Sequence, residues 1–145
     1  MTLETIIDGL AGGLAATIAM TALMMALGDD DPPPTALFIS KYAGDGEPAE
    51  YMMPGMALHI LYGIVAGGVF AVIAIGIDVV SVASVELGLA WGLAYGVLLF
   101  VGAAVFWMKL VLGMDPEPKM VGLFLFFHLV YGAVLGTWVG IGVVA

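Results

Sequence analysis

The chain contains no arginine and no cysteine, and three lysines and two histidines stand against twelve carboxylates. The missing cysteines exclude disulfides, thiolate metal sites and thiol nucleophiles, and leave the redox compartment open. A formal charge of −9 with so few cations excludes a phosphate-tracking surface and argues against nucleic acid or anionic headgroups as partners. Catalytic signatures are scarce too. The spans hold no acid pair, no H-E-x-x-H occurs, and no glycine-rich phosphate loop is present. The serines Ser40, Ser81 and Ser84 have no histidine near them in sequence. The expectation is a protein that is not an enzyme.

Apolar residues are what the chain has in abundance. They make up 63% of the 145 residues, against 10% charged, and a soluble domain of this size could not cover such a core with so little polar surface. Four nearly uncharged runs, residues 6–27, 55–77, 85–112 and 121–144, each suffice to cross about 30 Å of hydrocarbon. The predicted fold is an all-α membrane protein of four transmembrane helices forming a single domain over residues 1–145. The first run carries Glu4 and Asp8 rather than a basic flank, so it reads as a span and not as a cleaved signal peptide.

The two histidines lie in copies of one segment. "HILYGIVAG" begins at His59 and "HLVYGAVLG" at His128, both fitting H-x-x-Y-G-x-V-x-G at an offset of 69 residues. The first and third runs match as well. "GLAGGLA" at 9–15 and "GLAWGLA" at 88–94 agree at six of seven positions, at an offset of 79. The ten-residue difference falls in the loop inside each hairpin. The chain therefore reads as two tandem helical hairpins, 1–77 and 78–145. Each holds two spans, so both copies cross in the same sense. Their pseudo-twofold axis is expected along the membrane normal, with His59 and His128 at one depth.

Residues 28–53 form the acidic, proline-rich loop of the first repeat. It opens "GDDDPPP", and "TALFISKYA" within it fits a short helix on the membrane surface. "GMDPEPK" is the tight turn of the second repeat, and residues 78–84 are a short link. Acids crowd these loops, among them Asp29, Asp30, Asp31, Asp45, Glu47, Glu50, Asp115 and Glu117. Adaptation to high salt, as in a halophilic archaeon, explains them more simply than a cationic partner. Lys41, Lys109 and Lys119 all border the intra-hairpin loops, which places those loops in the cytoplasm and both termini outside. Trp107 and Trp138 read as interfacial anchors and Asp8 as an interfacial acid near a helix N-terminus.

Small residues recur at spacing four in every span: Gly9, Gly13, Thr17 and Thr21; Gly63, Gly67 and Ala71; Gly88, Gly92 and Gly96; Gly132, Gly136 and Gly140. Inside lipid, such stripes let helix backbones meet, and they predict a tight bundle. At about 100° per residue, Gly63 lies roughly 40° round the helix from His59 and Tyr62 roughly 60° the other way. Histidine, tyrosine and glycine thus share a broad face, repeated by His128, Tyr131, Gly132 and Gly136. A small-residue face is the packed one, so both histidines are expected to point inward, each with a polar partner or a ligand within hydrogen-bond reach.

The segments "GLAGGLAATIAMTALM", "HILYGIVAGG" and "HLVYGAVLG" resemble an uncharacterised family of short four-helix bacterial and archaeal membrane proteins. The resemblance covers most of the chain outside the acidic loop. It implies the fold and no chemistry.

Several roles remain open for the histidines. The plainest is structural: neutral imidazoles bonded across helix interfaces, in a small integral membrane protein that packs against itself or a larger membrane complex within the lipid bilayer. Bis-histidine ligation of haem b by His59 and His128 needs two imidazoles at one depth and small residues making room. Against it, no arginine is available to meet the propionates. A soft-metal site from Met52, Met56 and His59 is a weaker idea, because the second repeat has Val121 and Leu125 at the methionine positions. A small oligomeric transporter or channel would use the histidines with Tyr62 and Tyr131 as a polar track, but the helix centres carry no ionisable group.

Overall fold

The computed structural model describes residues 3–28, 31–76 and 84–142. Among these the fold is helical throughout. Helix α1 spans Leu3–Leu27, α2 spans Pro34–Ala43 and α3 spans Met52–Gly76, the last entered through a 3-10 turn at Pro48–Tyr51. Helix α4, Val85–Val101, runs on as a π-helical segment, Gly102–Val111, and α5 spans Pro118–Ile141. Four stretches, Leu3–Leu27, Pro48–Ala74, Val85–Val111 and Pro118–Ile141, are long and apolar enough to cross a membrane. The helix of the acidic loop is α2, with Pro34 in its first turn, where a missing N–H costs nothing. Most of the link 78–84 lies outside the described residues.

Two close helix pairs make the bundle, and both are built on absent side chains. In the first, α1 meets α3. A Cβ on Gly13 would lie 2.9 Å from Gly67 Cα, and Thr17 covers Gly63. In the second, α4 meets α5. A Cβ on Gly92 would lie 2.7 Å from Gly136 Cα, and one on Gly88 2.9 Å from Gly140 Cα. The pairs correspond position by position: Gly9 faces Gly67 and Ala71 as Gly88 faces Gly136 and Gly140, and Gly13 faces Gly63 and Gly67 as Gly92 faces Gly132 and Gly136. Backbones this close gain dispersion along the whole crossing, the main source of helix affinity where lipid tails are as apolar as leucine.

Between the pairs, α1 lies against α5. Ala16 and Met20 of α1 join Phe127, Tyr131, Leu135 and Val139 of α5, with Ala66, Phe70 and Ala74 of α3, in one core. The opposite seam is different, for α3 and α4 touch at few points. What joins them is the Tyr95 hydroxyl, donating to the Ala66 carbonyl at 2.8 Å, and the Phe70–Tyr95 ring pair, 5.1 Å between centroids. Helix α4 is accordingly the least buried of the four long helices.

Helix α2 closes the loop end of the bundle. Gly55 admits it. Any Cβ there would sit 2.8 Å from Ala36 Cα, and Ala36 itself is fully buried. From this seat α2 reaches the second helix pair. Lys41 Nζ donates to the carbonyls of Val111 (3.0 Å) and Leu112 (3.2 Å), and the Tyr42 hydroxyl donates to Val111 O at 2.7 Å. The last carbonyls of a helix lack intrahelical donors, and a cation among them also meets the negative end of the helix dipole. Phe38 stands edge-on to Trp107 at 5.6 Å. The acidic stretch behind α2 is held by the Tyr51 hydroxyl, which accepts from Asp45 N and Gly46 N. Gly113, at φ 70, makes the tight turn that ends the π-helical segment.

Candidate functional site: a histidine-lined cavity under helix α2

Both histidines line one cavity of about 200 Å³ at the loop end of the bundle. Its walls come from every helix. Met20 and Met24 belong to α1, Thr35 and Phe38 to α2, His59 and Tyr62 to α3, Leu99 to α4, Met108 to the π-helical segment, and His128 and Tyr131 to α5. No lining residue carries a formal charge at neutral pH with the imidazoles neutral.

His128 is fixed on three sides. Its backbone packs on Gly96, where a Cβ would come within 3.2 Å of the His128 carbonyl carbon. Its ring stands edge-on to Phe124 at 4.5 Å and to Phe100 at 6.1 Å. Its Nδ1 lies 2.8 Å from the Phe124 carbonyl. A carbonyl only accepts, so Nδ1 carries the proton, and in the neutral ring Nε2 is left as a lone-pair acceptor on the far edge. Tyr131 is 2% exposed, and its hydroxyl donates to the Gly63 carbonyl at 2.6 Å, tying α5 to α3 beside the cavity.

His59 differs from its twin. Its Nε2 is buried with no hydrogen-bond partner, so the polar partner expected from the repeat is missing at that atom. Thr35 Oγ1 is in the same condition, and it too belongs to a residue lining the cavity. Tyr62 also departs from its counterpart. It is 42% exposed where Tyr131 is buried, so at α3 the cavity reaches the outer surface of the bundle. The two histidines thus differ in character: one is pinned with an acceptor to offer, one has an unspent nitrogen.

The glycines expected in helix packing (Gly9, Gly13, Gly63, Gly67, Gly88, Gly92, Gly96, Gly132, Gly136 and Gly140) all lie in the two close crossings, where an added Cβ would meet the facing helix. Met52 and Met56 are absent from the cavity wall, and Met52 is 38% exposed, so the soft-metal set with His59 is not assembled. Among the described residues no group of three or more histidines and carboxylates could hold a metal ion.

Haem b fails a test of size. A cavity of about 150 Å³ accommodates a benzene ring, and this one, at about 200 Å³, has room for one substituted ring rather than a tetrapyrrole.

Two polar residues at the other end meet each other: Asp8 is 4% exposed, and Trp138 Nε1–H donates to Asp8 Oδ1 at 2.9 Å across the α1–α5 contact. Gly12 makes room, for a Cβ there would lie 2.8 Å from Trp138 Cδ1. The acid sits inside because a donor 130 residues away satisfies it.

Sequence reasoning missed Thr35, Phe38, Met20, Met24, Trp107 and Met108 as parts of the site. A single signal pointed toward the α2 contribution: Gly55 at the very start of a span, where only close approach of another segment calls for a residue without a side chain. The π-helical segment had no signal. Its wider turns carry Met108 inward (2% exposed) while Phe106 and Leu110 face out at 53% and 69%. No family model matches the chain, and neither a curated protein nor a solved structure matches it.

Proposed function

We propose that the chain is a multi-pass membrane protein without catalytic machinery, whose task is to hold a small, largely apolar ligand in the cavity beneath α2. The observation that carries this reading is a pair of orphaned polar atoms, His59 Nε2 and Thr35 Oγ1, in residues that line a mostly apolar cavity of about 200 Å³. A buried donor or acceptor without a partner costs about 1–3 kcal/mol, a cost that a bound molecule recovers. In this reading the chain is a duplicated hairpin with its pseudo-twofold axis along the membrane normal, and the position-by-position match of the two glycine crossings supports it. The lysine-bearing loops and α2 face the cytoplasm.

The test is occupancy by a plain ring. Detergent-solubilised protein is titrated with 1,4-dimethylbenzene while thermal unfolding is followed. A ligand that binds only the folded state at about 100 times its Kd stabilises it by about 2.7 kcal/mol. The expected result is a saturable rise in the midpoint that Ala103→Phe, which fills the cavity wall, removes. No saturable rise in wild type refutes the reading.

Self-association is a second reading, favoured by α4, which packs closely on α5 alone and leaves Leu87, Trp91 and Leu98 exposed. Cross-linking in nanodiscs loaded at one chain per disc and at several tests it. A single-chain species under both conditions overturns it.

A further inference from the structure

We propose that the ligand is a lipid-phase phenol or quinol, whose hydroxylated ring occupies the cavity and whose tail leaves sideways between α3 and α4. This deepens the binding reading and rests on it.

The donor and acceptor inventory selects the ring's polar group. Tyr131 and Tyr95 have spent their hydroxyl protons on the carbonyls of Gly63 and Ala66. His128 has spent its Nδ1 proton on Phe124 O. What remains among the residues lining the cavity is the His128 Nε2 lone pair, which needs a donor, together with the unpartnered His59 Nε2 and Thr35 Oγ1, the Tyr62 hydroxyl and the Trp107 Nε1–H. A ring hydroxyl fits this set. It gives its proton to His128 Nε2, and its oxygen or a second substituent meets His59 or Thr35. A quinone with two carbonyls brings only acceptors and leaves the His128 lone pair facing another, so the reduced, hydroxyl-bearing form is the better match. An anion is disfavoured because no lining residue is cationic, and a cation because none is anionic.

Volume fixes the headgroup and the seam fixes the route. About 200 Å³ holds one substituted ring but no long chain. The rest of a lipid must therefore lie outside. The loop end is shut by α2, through Lys41 and Tyr42 on Val111 and Leu112. On the α1–α5 side the core is closed. The remaining side is the α3–α4 seam. Tyr95 bridges it at Ala66, and Tyr62 of α3, Leu99 of α4 and Ala103 of the π-helical segment line the cavity. The half-exposed Tyr62 marks its mouth. Phe38, Trp107 and Phe124 supply aromatic walls for the ring.

Two histidines in the whole chain make the test direct, because a protein labelled with 15N-histidine gives only two imidazole spectra. The full chain in phosphatidylcholine nanodiscs is titrated with 4-methylphenol, with 1,4-dimethylbenzene of nearly the same shape, and with decyl-substituted 1,4-hydroquinone. Expected is a saturable shift of the His128 Nε2 resonance toward its hydrogen-bonded value with the phenol and the tailed quinol. The dimethylbenzene is expected to bind roughly three- to tenfold more weakly and to leave that resonance in place. If it binds and the phenol neither shifts Nε2 nor binds more tightly, the hydroxyl assignment is overturned while the binding reading stands. If no ring compound binds, both fall. If 4-methylphenol binds and the tailed quinol does not, the ligand comes from water and lateral access is wrong.

Discussion

Gly132→Ala puts one methyl group where two backbones already touch. The added Cβ would stand 2.9 Å from the Gly92 carbonyl carbon and 3.1 Å from Gly96 Cα, with the Gly92 carbonyl oxygen closer still. Carbon atoms rest at about 3.5–4.0 Å, so α4 and α5 must part locally by roughly 0.5–1 Å, which forfeits a quarter to a half of each dispersion contact along the crossing. No side chain can rotate away, because the obstacles are main chain. The expected cost is about 1–3 kcal/mol, the range of ordinary overpacking. Gly122 lies in the same helix, and a methyl added there would have nothing within 4 Å, so Gly122→Ala meets no obstacle and gains up to about 1 kcal/mol of helix preference. One substitution, in one helix, should therefore have opposite signs at two positions ten residues apart. Thermal unfolding in detergent reads the difference, at roughly 2–4 °C per kcal/mol for a chain of this size. Equal midpoints for the two variants would refute the claim that backbone contact, rather than helix propensity, governs these glycines.

Two further outcomes follow from the same geometry. Adding haem b to the purified protein should give no low-spin bis-imidazole spectrum, because the cavity takes one ring and not four; sharp reduced α and β bands lost in both His59→Leu and His128→Leu would show otherwise. Trp138→Phe should cost about 1–3 kcal/mol by leaving the Asp8 carboxyl buried without its donor. Asp8→Asn, whose amide oxygen can still accept, should cost less. A larger loss for Asp8→Asn than for Trp138→Phe in detergent unfolding would rule out that account.

The long helices are legible because about 20 apolar residues in a row have few other uses, and prolines and glycines punctuate their ends. The two close crossings are legible for a related reason. Backbones can approach this closely only over small residues, and Gly88, Gly92 and Gly96 spell one such surface out. The cavity was only half legible. Its histidines are conspicuous as the sole imidazoles in apolar helices. Thr35, Met20 and Met108 are not, because spans that are apolar all round show no periodicity to mark an inner face. The Asp8–Trp138 bond hides for another reason: separation by 130 residues leaves no local trace of it. The difference between His59 and His128 was invisible as well. Identical motifs conceal that only one of the two hairpins carries a helix in its loop.

That loop helix has a consequence for biosynthesis. Lys41 closes onto a carbonyl 70 residues further along the chain. At roughly 5–20 residues per second, its seat is synthesised about 4–14 s after the lysine itself. During that interval the first hairpin can weld its own glycines together and seat α2 on Gly55, but Lys41 and Tyr42 still lack the carbonyls they close onto. The cavity is thus among the last features the nascent protein acquires, and a chain halted before Val111 would hold a finished hairpin and no cavity.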